Sequence, residues 1–244
     1  MENQNQDYTY QNVVQIEDAD QSRKFIANVF MWMFVALGIS SIAAYSFASL
    51  PALRQQLFDA TTGQPTILFF VAMFSPLAFV LLIRFGLNRI SYAGLSLLFI
   101  AYSVATGISL SFVLLYYTQS SVVGVFLTSS IVFGIMAVAG YTTKTDLTKF
   151  GSIMIMLLVG IIIASLVNLL LLHSSGLNLL ISYVGVAVFV GLTAYDVQKL
   201  KRIGAGLEYG DASAKKMALM GGLTLYLDFI NLFLMLLRIF GRRR

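Results

Sequence analysis

The sequence predicts an all-α, polytopic membrane fold of seven transmembrane helices, and three observations carry that prediction. Of 244 residues, 58% are hydrophobic and only 11% are charged, whereas an average soluble domain carries about 25% charged residues. The apolar residues fall in runs of about twenty, the length that spans ~30 Å of hydrocarbon. Lys and Arg gather in every second connection between those runs, the pattern that orients a chain in a bilayer.

Composition also excludes chemistry. There are no cysteines, so no disulfide, thiolate or cysteine metal site exists, and the single His173 rules out a site built from two histidines of one chain. The net charge of +5 does not indicate nucleic acid, because the basic residues sit in short loops where they set topology.

Residues 1–22 are polar and hold Glu2, Asp7, Glu17, Asp18 and Asp20 without a Lys or Arg. They lack the basic start of a secretory signal and read as a disordered acidic tail; residues 23–244 then form one transmembrane domain. Arg23 and Lys24 precede the first span, Phe25 to Ala48, with Trp32 and Tyr45 placed as interface aromatics. A loop with Pro51, Arg54, Asp59, Gly63 and Pro65 follows. The second span, Thr66 to Ile83, contains Pro76, which is tolerated when a neighbour satisfies the freed carbonyl. Arg84 and Arg89 close it. The run 90–143 is free of charge and as one helix would extend ~81 Å at ~1.5 Å per residue. It must fold back, and Thr118-Gln119-Ser120-Ser121 is the natural turn, giving spans near 90–117 and 122–142. Lys144, Asp146 and Lys149 form the next connection, with Asp146 as an N-cap for the fifth span. A second long charge-free run breaks at His173-Ser174-Ser175-Gly176, giving spans near 150–172 and 178–198. After the charged loop Lys199–Lys216 comes the seventh span, Met217 to Leu237.

With the N-terminus inside, the cytoplasmic segments hold Arg23, Lys24, Arg84, Arg89, Lys144, Lys149, Lys199, Lys201, Arg202, Lys215 and Lys216, while the opposite connections hold only Arg54. Arg238, Arg242, Arg243 and Arg244 run against this bias, because they follow a span that should exit outside. Either the last segment is re-entrant, or topology is set by earlier spans; the second is expected.

The seventh span carries Asp228 near its middle, and a carboxylate there costs ~2.5–3.5 kcal/mol on insertion scales, so it marks a site by default. Asp196 lies near the cytoplasmic end of the sixth span, where it is either a second member of that site or an ordinary interfacial carboxylate. Counted from Lys199 and Lys216, the two differ in depth by ~13 Å. The gap narrows if the last helix begins at Gly221-Gly222, since glycines permit a break. Two carboxylates that meet in a low-dielectric pocket cannot both ionise cheaply, so they share a proton, or they attract a hard cation such as calcium. Arg84 either pairs with one of them or serves as a topology anchor. Thr224 and Asn231 share the helical face of Asp228 and are candidates to orient it. Asn168 is a candidate for a bond across helices, and His173 for a cap on the outer side of the fifth span. Gly107, Gly134, Gly140, Gly185 and Gly191 are small residues that allow close helix approach. No Ser–His–acid arrangement or phosphate loop is present. An intramembrane aspartyl protease is disfavoured, because neither Asp196 nor Asp228 stands in a GxGD-type motif. No enzyme activity is expected.

GYTTKTDLTKFG at 140–151, FVGLTAYDVQKLK at 189–201 and LTLYLDFINLFLMLLRIFG at 223–241 resemble the Bax-inhibitor (transmembrane Bax-inhibitor-motif) family, particularly its bacterial members. The resemblance covers about residues 23 to 241. It implies a seven-helix fold with the last helix central, wrapped by six others. It implies a pH-sensitive calcium leak whose sensor is an aspartate pair, here Asp196 in AYD and Asp228 in YLDF, and whose gating arginine matches Arg84 in LLIRFG. Some relatives carry an acidic residue within the second helix; this chain has none from Thr66 to Ile83. Relatives are also linked to suppression of cell death and, in bacteria, to modulation of a membrane-bound ATP-dependent protease.

The expected function is therefore a calcium leak channel of a bacterial inner membrane, with its N-terminus cytoplasmic, gated by protonation of Asp196 and Asp228. The rival is an interaction protein that modulates a membrane-bound protease or a cell-death or stress response. Expected partners are calcium ions as the carried species, protons, membrane lipids and, in the rival case, that protease. No cofactor is expected.

Overall fold

The computed structural model describes residues 3–59, 63–87, 89–207 and 212–244, with side chains from Asp20 onward, Ala212 excepted. The helices are α1 (Asn3–Ser49), α2 (Pro51–Leu57), α3 (Ile67–Gly86), α4 (Tyr92–Tyr116), α5 (Gln119–Thr142), α6 (Thr148–Val167, extended by a π-helical turn over Asn168–Leu172), α7 (Ser175–Ala205) and α8 (Ala212–Phe240). Seven of them are long and apolar enough to cross a membrane; α2 is a short helix in the first loop. The protein is a multi-pass, all-α integral membrane protein, as its composition requires.

Both fold-back points lie where polar residues interrupt the charge-free runs. Thr118 starts α5 from an extended backbone. Ser174 caps α7 by accepting the Leu177 N–H at 3.3 Å. Most of the stretch 1–22, expected as a disordered tail, lies outside the residues whose side chains are described. Its last residue, Ser22, is buried and donates to the Lys201 carbonyl at 3.0 Å.

Three readings change. The sixth span does not stop at 198: α7 runs to Ala205, where Gln198 and Arg202 find partners on the neighbouring connection and Lys201 on the last turn of α5. α8 is unbroken through Gly221-Gly222. Asn168 closes its own turn instead of reaching another helix, accepting the Ser174 N–H at 2.9 Å and donating to the Ser174 carbonyl at 3.0 Å. His173 does cap the fifth span, with a left-handed backbone at φ 49° and its N–H donated to the Asn168 carbonyl at 2.7 Å. Trp32 is half-buried and packs edge-on against Tyr92 and Phe99.

α8 packs against α1, α4, α5 and α7, while α3 packs on α4 and α6 on α7. The last helix is therefore central, though α3 and α6 form an outer layer on their partners. Buried Leu223, Leu225, Tyr226, Phe229 and Leu232 cover more than half of the circumference of α8, and Thr224, Leu227 and Asn231 form a half-buried stripe on the rest. α3 and α6 leave large apolar side chains outward, such as Phe85 and Leu171, which suits contact with lipid chains. Pro76 removes the N–H that would bond the Ala72 carbonyl. The Ser109 hydroxyl of α4 donates to that carbonyl instead, together with Ser75 at 3.2 Å.

Close approach holds the layers together, since lipid tails give helices no hydrophobic reason to associate. Gly140 of α5 lies against the Ala194 backbone of α7, and a Cβ there would strike the Ala194 carbonyl. A Cβ on Gly222 would lie 2.6 Å from Trp32 Cβ. The Gly221-Gly222 pair is thus a packing device, not a helix break.

The bundle has two distinct ends. At one, Lys201 Nζ donates to the Tyr141 carbonyl at 2.8 Å and Lys216 Nζ to the Leu87 carbonyl at 3.2 Å. At the other, Thr118 N–H donates to the Arg242 carbonyl and Arg244 N–H to the Tyr116 carbonyl, both at 3.0 Å. The C-terminus therefore docks on the α4–α5 connection, at the end away from Ser22. α8 crosses completely, and the re-entrant alternative is excluded.

Gly140→Ala should force α5 from α7 and lower stability by ~1–3 kcal/mol, the usual range for overpacking. Gly134, with open space around its Cα, should accept alanine without loss, because alanine is the better helix former by ~1 kcal/mol. Thermal unfolding of the two variants in one detergent compares them directly.

Candidate functional site

Asp228 sits midway along the span Ser213–Phe240 of α8 and is 6% exposed. Helical geometry turns it toward α7, while Tyr226, ~200° around the axis, faces α1 and α4. Asp196 lies inside α7, well before its end at Ala205. The two carboxyl groups are near enough to act on each other. The depth mismatch expected from the sequence does not separate them, since α7 continues beyond Asp196 for more than two turns.

Two carboxyl groups at close quarters can hydrogen-bond only when one of them carries a proton. Asp228 Oδ2 is buried and has no hydrogen-bond partner among the described residues. A buried acceptor left open in this way is costly, and a proton or a cation would relieve it. The residues fit a transient calcium ion only in part. Calcium takes ~6–8 oxygen ligands, and among the described residues no group of three or more His, Cys, Asp and Glu side chains exists. Two carboxylates alone supply fewer oxygens than a full calcium shell.

Arg84, at the end of α3, is exposed and acts on Asp196 electrostatically, as does Lys199. Among the described residues neither makes an ion pair, whereas Lys24 pairs with Asp20 at 2.6 Å and Arg202 with Asp146 at 2.9 Å. Arg84 therefore stands beside the site without latching it. Thr224 and Asn231, expected to orient Asp228, direct their donors to their own helix, to the Met220 carbonyl at 3.1 Å and the Leu227 carbonyl at 2.8 Å.

Two polar clusters flank the site that the sequence did not reveal. At mid-span, Ser40 Oγ of α1 donates to the Ser103 carbonyl of α4 at 2.7 Å and lies 2.7 Å from Tyr226 Oη of α8. Tyr226 also meets the Tyr102 ring edge-on at 5.6 Å. Serines and a tyrosine scattered over three helices give no linear signal. At the α7 end, Gln198 accepts the Leu147 N–H at 2.9 Å and donates to the Thr145 carbonyl at 2.8 Å. Asp146 accepts from the Thr148 hydroxyl at 2.6 Å, the Thr148 N–H at 2.9 Å and Arg202 at 2.9 Å. Asp146 thus caps α6 from one position earlier than the N-cap, and ties the 143–147 connection to α7. The sequence showed the cap but not the tertiary arginine.

The family model described as "Inhibitor of apoptosis-promoting Bax1" matches residues 22–244. The chain is 42% identical over 222 residues to the inner membrane protein YbhL of Escherichia coli strain K12, covering 90% of this chain and 92% of that protein. It is 44% identical over 229 residues to an uncharacterized protein of Borreliella burgdorferi, covering 91% and 93%. An uncharacterized membrane protein of Streptococcus pyogenes serotype M6 is 34% identical over 221 residues, covering 90% and 93%.

The Asp146 clamp generates a control. Hydrogen bonds from Thr148, aided by Arg202, hold its carboxyl down at about 2, below the ordinary 3.8. A depressed value contributes stability that is complete above the ordinary range and is lost as pH falls through about 2. Asp146 is therefore ionised at every physiological pH. Asp146→Asn should leave any near-neutral pH midpoint unchanged while speeding hydrogen exchange over 143–147. A shifted midpoint would move the sensor to this connection.

Proposed function

The chain belongs to the family of inhibitors of apoptosis-promoting Bax1, and from that premise we propose that it is a pH-sensitive calcium leak channel gated at Asp196 and Asp228. The observation that carries this reading is the contact between two carboxyl groups inside the bundle, one with a buried oxygen left unpartnered. With one proton shared, the pair is a neutral latch between α7 and α8. Without it, two negative charges face each other in a low-dielectric core and either separate or draw in a cation. Arg84 and Lys199 are the cations that bear on Asp196, and Arg84, at the end of α3, is the gating candidate. By likeness to YbhL, an inner membrane protein, the bacterial inner membrane is the proposed site. The excess of Lys and Arg at the Ser22 end supports a cytoplasmic placement of that end.

Calcium flux into liposomes holding the purified protein, measured at several pH values, tests the reading. Asp196→Asn and Asp228→Asn should each flatten the pH dependence, and the double variant should add little, because residues that act as one unit are non-additive. Effects that simply sum would make them separate sites. Arg84→Ala should raise basal flux; unchanged flux in the folded variant would return Arg84 to the role of a topology anchor.

A further inference from the structure

A second feature lies across α8 from the aspartates. α1, α4, α5 and α8 enclose a cavity of about 340 Å³. Its wall is almost wholly apolar, with Leu114, Val122, Val123, Leu127 and Phe233 among its residues. Its inner end is Ser40, in the mid-span hydroxyl cluster, and its other end reaches Tyr45 and Val122. Tyr45, Val123 and Leu127 are exposed, so the cavity opens sideways, between α1 and α5, onto the surface that faces lipid chains.

The C-terminal arginines stand at its outer end. Ser121, the residue before Val122, accepts the Arg242 N–H at 2.9 Å. Backbone bonds from Thr118 and to Tyr116 fix the segment on the α4–α5 corner. The Arg243 guanidinium lies over the Tyr116 ring, 5.3 Å from its centroid. Arg242, Arg243 and Arg244 are all exposed. These are the charges that run against the orienting bias of the other connections. They are held in place at the level where lipid headgroups begin, one turn from an apolar slot that opens into the bilayer.

We propose that the cavity and Arg242, Arg243 and Arg244 together form a binding site for an anionic glycerophospholipid. One acyl chain lies in the slot between α1 and α5, and the phosphate is held by the arginines, whose planar forks match phosphate oxygens. The volume stands at the small end of ligand pockets, ~300–1,000 Å³, which suits a single chain. A transmembrane helix of a second copy or a partner is ~10–12 Å across and does not enter it. The site is independent of the leak reading, sharing no residue with Asp196, Asp228 or Arg84.

Native mass spectrometry of the purified full chain, with phosphatidylglycerol and phosphatidylcholine of identical acyl chains in equal amounts, tests it. The protein should retain phosphatidylglycerol in preference, by about fivefold for each arginine engaged. The triple variant Arg242→Gln, Arg243→Gln and Arg244→Gln should lose the preference while still retaining lipid. Val123→Phe, on the exposed rim of the slot, should reduce retention of both lipids. Lys144→Gln with Lys149→Gln, at the opposite end, should change neither. Equal retention of the two lipids by the unaltered protein overturns the proposal, as does a preference that survives the triple variant. If Val123→Phe instead alters the proportion of dimer and leaves lipid retention intact, a second copy covers this face and the lipid site is wrong.

Discussion

A carboxyl group at mid-span cannot face hydrocarbon alone, and the arrangement of the bundle follows from that constraint. α8 carries Asp228, so α8 must be enclosed, and four helices enclose it. α7 carries the second carboxyl and is as deeply buried as α8. α3 and α6 have no charge within their apolar stretches and are the least buried spans, each leaning on one inner neighbour. The order of layers is thus an electrostatic ranking. The two helices that carry a carboxyl group at depth are the most buried, and α3 and α6, which carry none, form the wall against lipid.

Polar bonds then fix the inner helices at three levels. At one end Gln198, Arg202 and Lys201 secure α7 to the connection between α5 and α6. At mid-span Ser40, Ser103 and Tyr226 join α1, α4 and α8. At the other end the backbone of 242–244 pairs with the α4–α5 corner. Between these levels contact is by close packing, with glycine wherever two backbones meet. Asp196 and Asp228 lie between two fixed levels, so a change in their charge acts on side chains within an otherwise fastened frame.

The spans were legible in the sequence because hydrocarbon thickness imposes a length on each one. The same ruler fails where a helix leaves the membrane. Lys199, Lys201 and Arg202 look like loop residues by hydropathy, yet they continue α7, where Lys201 reaches the end of α5 and Arg202 the connection after it. Asp228 was legible as a deep carboxylate. Its meeting with Asp196 was left open, because counting residues from loop charges measures depth poorly when helices extend past the surface. Gly221-Gly222 was legible as unusual but not as close packing against Val29 and Trp32, since the chain alone does not say which helix comes near. Ser40 and Tyr226 left no trace, because common hydroxyl residues acquire meaning only when three helices bring them together.

The substitute bond at Pro76 has a mechanical consequence. An α-helix resists bending because each turn is tied to the next by its own backbone bonds. At Ala72 that tie is made by hydroxyl groups, chiefly one belonging to α4. A hydroxyl rotates and can follow a carbonyl through a small angle, which a rigid backbone N–H cannot. α3 is therefore a jointed rod, with its pivot one turn from Ala72 and Arg84 at the tip. The tip lies ~12 Å beyond Pro76 at ~1.5 Å per residue, so a bend of about 10° carries the arginine ~2 Å. Of the two cations that bear on Asp196, Lys199 stands on the same helix as the aspartate, while Arg84 is mounted on a span whose stiffness is interrupted.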